Sequence, residues 1–426
     1  MEILWTVVGA IAFFLLIMVS VALHEVGHMV PAKIFGVKVP QYFVGFGPKI
    51  FSFRRGETEY GVKWFILGGY VRLLGMYPPY SGKPSRWRRL QQMADEARGF
   101  EWDEISEQDK ADGRLFYQKK TWQKIIVMFG GPFMNILIAF CLFWGINAFY
   151  GTWQTTTLVA NVVACVPAEG AAECAADDPP SPAAEAGLRA GDRIVAWNGV
   201  SVSTQERLSE LIRANGAGPA AVTVERGGTR VDLPAVNTVV IADPTSSDPG
   251  ATRAYYGFQA STEQVRGGPV EALGQMWEMT KLSFEGLAKL PVSVVQVAIG
   301  MFNGAERGQD TPVSVVGVSA VAGEVAASDQ VDAAAKVVLF ASLLGSLNLF
   351  LAIFNLVPLP PLDGGHIAGA LYEGARRQIA KLRRRPDPGH VDTAKALPVT
   401  FVVGGFLLLC GIVLMVADIV NPVQLF

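Results

Sequence analysis

Four stretches of this chain are long and apolar enough to cross a bilayer: Ile3 to about Pro31, Ile125–Tyr150, Val337–Val357 and about Leu397–Val416. Nothing constrains the fold more. In hydrocarbon a segment must satisfy its own backbone hydrogen bonds, and runs of this length do so as helices. Half of the residues are hydrophobic and 17% are charged, which leaves room for one modest soluble module. The net charge of −2 gives no case for nucleic-acid binding. The distribution of charge sets the orientation. Between Ala32 and Ile125 there are 17 Lys/Arg against 10 Asp/Glu, between Gly151 and Lys336 the balance is 12 against 21, and Glu373–Lys395 is basic again. With the basic loops inside, both chain ends and the large acidic segment lie outside the cytoplasm. The first span lacks a basic start and a small-residue cleavage site, so it reads as a retained helix rather than a signal peptide.

The first span runs into His24-Glu25-Val26-Gly27-His28. On a helix the two histidines stand one turn apart and face the same way. Two imidazoles can then share a Zn²⁺ while Glu25 takes a proton from water. A lone histidine here would read as a hydrogen-bonded core residue. Two imidazoles and a carboxylate together in a span are costly and point to a function. The third span ends Phe354-Asn355-Leu-Val-Pro358-Leu-Pro360-Pro361-Leu-Asp363-Gly364-Gly365-His366, where the prolines break the helix and the glycines free the backbone. Given the orientation, Asp363 reaches the same cytoplasmic-side depth as His24 and His28. Two histidines and a carboxylate leave a fourth position for water. His366 competes as a ligand or serves as an outer partner, and Asp363 is preferred. His390, in an Arg/Pro-rich loop, is expected to be solvated.

The chain divides into a first span (1–32), a membrane-associated β region (33–75), a charged cytoplasmic insertion (76–120), a second span (121–150), a soluble module (151–262), an extracytoplasmic amphipathic connector (263–336), a third span (337–366), a basic cytoplasmic loop (367–396) and a fourth span (397–426). In the β region, Gly45, Gly47, Gly68 and Gly69 punctuate alternating runs. Strands beside a membrane need partners for their backbone, and an extended substrate added as a strand is one; a hairpin that merely braces the first span is the other. Asn135 follows Gly130-Gly131-Pro132 and faces the protein interior, as a helix–helix hydrogen bond or as a substrate contact. The insertion carries Trp87 and Trp102 and is either helical or laid on the bilayer. Pro269–Phe302, interrupted by Glu271, Glu278, Lys281, Glu285 and Lys289, reads as amphipathic helices at the outer surface and not as a fifth span. Cys141 and Cys410 are packing residues, whereas Cys165 and Cys174 lie outside the cytoplasm and are expected to form a disulfide.

The soluble module carries Pro182-Ala-Ala-Glu-Ala-Gly187-Leu-Arg-Ala-Gly191-Asp192-Arg-Ile-Val-Ala-Trp-Asn198-Gly199, followed by an amphipathic helix over Ser203–Ala214. It resembles a PDZ domain, whose groove binds extended peptide ends by strand addition; a steric filter that grips nothing is the alternative. The fold class expected is a polytopic α-helical membrane protein with four transmembrane helices, a membrane-associated β-hairpin region and one extracytoplasmic PDZ (α+β) domain.

Taken in order, H-E-x-x-H in the first span, G-P-x-x-N in the second, the PDZ-like module and N-x-x-P-x-P-x-L-D-G-G-H resemble the site-2 protease family of intramembrane zinc metalloproteases. The arrangement is most similar to the bacterial branch that cleaves anti-sigma factors. Pro361 lengthens the proline run of the last motif, and one PDZ module stands where the family carries one or two. The resemblance implies one zinc per chain held by His24, His28 and Asp363, with Glu25 as general base and Asn355 on the substrate backbone near the scissile bond. It implies single-span membrane substrates, either anti-sigma factors or signal-peptide remnants, already cut outside by an upstream protease. It also implies a multi-pass protein of the inner (cytoplasmic) membrane. The runner-up is a catalytically inactive, PDZ-bearing membrane adaptor, and a transporter using its intramembrane charges is a weaker third reading.

Overall fold

The computed structural model describes residues 2–79, 104–166, 178–242, 252–303, 311–329 and 331–423, together with positions 92, 95, 96, 99, 102, 174, 307 and 308. Two compact units emerge, Met1–Tyr150 with Gly267–Phe426, and Gly151–Arg266. Along the chain run α1 (Glu2–Ile34), β1 (Gln41–Arg55), β2 (Thr58–Arg72) and α2 (Thr121–Gly145). The second unit holds β3 (Thr152–Val162), β4 (Arg193–Trp197), α3 (Gln205–Asn215), β5 (Val222–Arg226), β6 (Thr229–Asp232) and β7 (Phe258–Val265). The first unit resumes with α4 (Pro269–Asn303), α5 (Val315–Ala327), α6 (Ala333–Asn355), α7 (Asp363–Leu382) and α8 (Leu397–Val420). Of the expected cytoplasmic insertion, Trp87 lies outside the described residues, while Trp102 packs on Leu74, Ile105 and Leu115.

Five helices, α1, α2, α4, α6 and α8, are long and apolar enough to cross a membrane, and the chain is a multi-pass membrane protein. Their directions follow from contacts. Gly27 of α1 meets Gly130 of α2, while Phe13 and Ile17 share a cluster with Leu142, so the two helices are antiparallel. Phe340 of α6 packs edge-on against Phe13, and the Asn348 amide donates to Ser20 Oγ at 3.1 Å, so α6 runs parallel to α1. The loop before α8 is held by Glu373, which also pairs with Lys124 in the first turn of α2; α8 therefore starts on the side where α2 starts. Its other end carries Asp418, bonded to Arg307 and to the amide of Ser314 at the head of α5. In turn α5 lies on the first half of α1, with Gly323 against the carbonyl of Thr6.

α4 revises one part of the expectation for 263–336. Pro269–Phe302 falls within a single helix of 35 residues rather than several. Its Ala272 and Met276 are buried with Phe143 and Leu349, and its Val294 and Val297 with Cys410 and Leu414. The reason lies in the spacing: all five charged residues are exposed and recur at helical intervals, leaving the rest of the circumference uncharged and mostly apolar, and Pro291 does not end the helix. Its first turns are tied to the end of α2, where the Gly267 amide donates to Asn147 O at 2.9 Å. Just past its last turn, Arg307 pairs with Asp418 at the end of α8.

β1 and β2 are each 15 residues long and fold back on themselves. The register matches Gln41–Val44 with Gly69–Arg72 as well as with Glu59–Val62, while Phe51–Arg55 takes Thr58–Val62. One sheet face rests on α1, where Tyr42 Oη donates to Ala22 O at 2.7 Å. Phe46, Phe51, Trp64 and Phe65 are exposed, as an apolar surface beside a bilayer would be.

In the second unit the antiparallel strand order is β7-β3-β4-β5-β6, with α3 closing a core around Trp197, Leu208 and Tyr256. Cys165 and Cys174 are joined in a disulfide. Asp192, at the turn into β4, takes the Arg226 guanidinium on both oxygens at 2.7 Å and the Arg189 amide at 2.8 Å. Burial pushes its carboxyl up, but these bonds outweigh burial and hold it below the ordinary value. A depressed carboxyl stabilises the fold above the unfolded-chain value of about 3.9, and that contribution is lost as pH falls through the native value. Asp192→Asn is thus expected to speed amide exchange in β4 at pH 7, with the difference from wild type shrinking below about pH 4.

Candidate metal centre

Two elements far apart in the chain converge on one point. α1 brings His24 and His28 one turn apart, both buried. Asp363 is the first residue of α7, after a break at Leu356–Leu362 that separates it from α6. Asp363 thus opens a new helix instead of closing the third span, as the 337–366 boundary had it. Its Oδ2 lies 3.4 Å from His24 Nε2 and 3.3 Å from His28 Nε2, and the two Nε2 atoms are 3.2 Å apart.

This donor set fits zinc. A tetrahedral ion with bonds of about 2.0–2.1 Å has ligand edges of about 3.3 Å. The His28 Nδ1–H donates to Val127 O at 2.8 Å, which leaves its Nε2 lone pair aimed into the cluster. Asp363 Oδ2 is buried with no hydrogen-bond partner among the described residues. Lone pairs that converge in a buried space call for a cation between them.

α2 makes room for the imidazoles by having no side chains where they lie. A Cβ on Gly131 would stand 2.3 Å from His28 Nε2 and 2.6 Å from His24 Nε2, and one on Gly27 would stand 2.2 Å from Gly130 O. The helices meet backbone to backbone at this level.

Glu25 stands on the wall of a cavity of about 740 Å³ that the three donors share. Gly69 approaches it closely, since a Cβ there would be 3.1 Å from Glu25 Cγ. Asn135, Asn355, Gly68 and Gly69 line the same cavity. Asn135 is 2% exposed and its Oδ1 has no partner among the described residues. Gly45 and Gly47 are elsewhere: they pack at the far bend of the sheet against Lys63 O and the Phe65 ring. His366 lines the cavity but stands outside the three-donor cluster. His390 is not simply solvated, because its Nδ1 lies 3.3 Å from Glu373 and 3.1 Å from Arg377.

Sequence reasoning missed the Val127 carbonyl and the wall formed by Val71, Leu73, Met76 and Tyr77. No side-chain signal could have disclosed a backbone acceptor. Gly131→Ala is expected to displace both imidazoles, lowering bound metal by elemental analysis and costing about 1–3 kcal/mol of stability, with helix content by circular dichroism retained.

The family model for Peptidase family M50 matches residues 12–386. The chain is 35% identical to the zinc metalloprotease Rip1 of Mycolicibacterium smegmatis over 446 residues, covering 98% of this chain and 99% of that one. Rip1 of Mycobacterium tuberculosis is also 35% identical over 438 residues, with 99% of each covered. The zinc metalloprotease RasP of Oceanobacillus iheyensis is 27% identical over 422 residues, covering 86% of this chain and 90% of that one.

Proposed function

The chain belongs to peptidase family M50 and is a zinc-dependent intramembrane protease of the site-2 type, and on that premise we propose that His24, His28 and Asp363 hold the metal and Glu25 is the general base. The observation that carries this assignment is the trio of donor atoms, all within 4.8 Å of one another beside a cavity that also holds Glu25. Zinc, when bound, supplies a Lewis acid that polarises the scissile carbonyl and acidifies water. Glu25 takes a proton from the attacking water and returns it to the leaving amine. A helical amide is shielded by its own hydrogen bond, so the substrate must be extended at the cut. Gly69–Arg72 pairs with Gln41–Val44 along one edge and lines the cavity, offering its other edge to a substrate strand. Asn355 and Asn135, whose Oδ1 has no partner among the described residues, are the side chains that hold the unwound backbone.

The substrates on this reading are single-span membrane proteins such as anti-sigma factors or signal-peptide remnants. Four helices cross the membrane: α1, α2, α6 and α8. Both ends of α4 are tied to ends of α2 and α8 that lie on one side, which supports α4 entering and leaving there without crossing. The charge distribution puts that side outside the cytoplasm of an inner membrane, with the site towards the cytoplasm. The Gly151–Arg266 unit is a PDZ module that excludes substrates whose outer domain has not been removed by an earlier protease. Its disulfide suits that compartment.

Glu25→Gln is expected to keep one zinc per chain while cleavage of a truncated single-span substrate in proteoliposomes falls by about 10²–10⁴-fold. Asp363→Ala should instead lower the zinc content, and full occupancy there would sink the ligand assignment. Deleting Gly151–Arg266 is expected to let the enzyme cut substrates with an intact outer domain; if these stay uncut, the module is not a filter.

A further inference from the structure

Lys124 and Glu373 form a buried ion pair nearly three turns along α7 from Asp363. Lys124 Nζ lies 2.9 and 3.1 Å from the two carboxylate oxygens, and the side chains are 6% and 4% exposed. Glu373 also accepts the Val391 amide at 3.0 Å, with His390 Nδ1 at 3.3 Å and Arg377 at 3.5 Å. Burying such a pair gains little stability over apolar side chains of the same volume, and its best-attested use is to specify register.

The surroundings show what register that would be. Going up α2 and back along α7, Thr121 meets Gly374, Lys124 meets Glu373, and Val127 and Met128 pack with Ile367. One further turn brings Gly131 against the imidazoles that face Asp363. Val127 O, one turn above Lys124, is the acceptor that orients His28. The same two helices therefore carry the ion pair at one end and two parts of the metal centre at the other. A slip of α7 by one residue would move Asp363 by about 1.5 Å and turn it by about 100°. Donor edges of 3.2–3.4 Å do not survive that.

We propose that Lys124 and Glu373 are positioning residues that lock the register of α7 on α2 and so deliver the Asp363 carboxylate to His24 and His28. This rests on the ligand assignment above. The loop bearing His390 and Val391 completes the lock by satisfying the remaining acceptor sites of Glu373.

The test is zinc affinity, measured by competition with a fluorescent chelator on the full chain in detergent, beside thermal unfolding. The isosteric Glu373→Gln and the apolar double variant Lys124→Met/Glu373→Leu are expected to stay folded and to bind zinc about 10–100-fold more weakly. The Arg307–Asp418 pair is equally buried, at 4% and 1% exposure, but sits at the other end of α8. Arg307→Met/Asp418→Leu should alter the melting temperature and leave zinc affinity unchanged. Wild-type zinc affinity in both Lys124/Glu373 variants would overturn the proposal, and so would an equal loss in the Arg307/Asp418 variant. If the double variant does not fold, Glu373→Gln alone decides. Undiminished zinc affinity in Asp363→Ala would bring down the ligand assignment, and the proposal with it, whereas weakening there but in neither Lys124/Glu373 variant brings down the proposal alone.

Discussion

The contact between Gly27 and Gly130 governs the rest of the site, because it lets α1 and α2 touch with no side chains between them. In a bilayer no hydrophobic effect drives helices together, so close packing and interhelical hydrogen bonds carry the association. The approach places Gly131 over the two imidazoles and brings the Val127 carbonyl within reach of His28. A larger residue at any of these glycines would part the helices, and the imidazoles would turn to fill the gap. The metal centre thus depends on an absence of side chains as much as on the donors themselves.

Inside the membrane unit, several of the buried charged or hydrogen-bonding groups tie separate segments together. Glu373 joins α2, α7 and the loop that leads to α8. Asp418 joins the segments around Arg307 and Ser314 to the end of α8. Asn348 joins α6 to α1, and Asn147 joins α2 to the start of α4. Apolar surfaces supply area here without direction, so these few polar contacts specify which helix ends meet.

Much of the centre was legible because its signals are local. His24, Glu25 and His28 declare themselves through helical spacing, and Asp363 through the proline break and the glycines that follow it. Other features depend on which helix lies beside which, and that is not written in any short window. The Lys124–Glu373 pair spans 249 positions, and His390 looks solvated until Glu373 is placed next to it. Gly45, Gly47, Gly68 and Gly69 all punctuate the β region in the sequence, yet nothing local distinguishes Gly68 and Gly69, which line the cavity, from Gly45 and Gly47 at the far bend. In α4 five charges masked an apolar surface that shows only once they are projected around the helix.

The separation of the donors along the chain has a consequence for biosynthesis. His24 and His28 emerge first, whereas Asp363 follows more than three hundred residues later, after the entire second unit and α4 to α6. At about 5–20 residues per second, a growing chain waits for its third donor for roughly 20–70 seconds. During that interval Glu25, the proposed general base, has already been made, but the centre proposed for it is incomplete. On the proposed ligand set, the protease therefore stays inert until nearly all of its own membrane unit has been made.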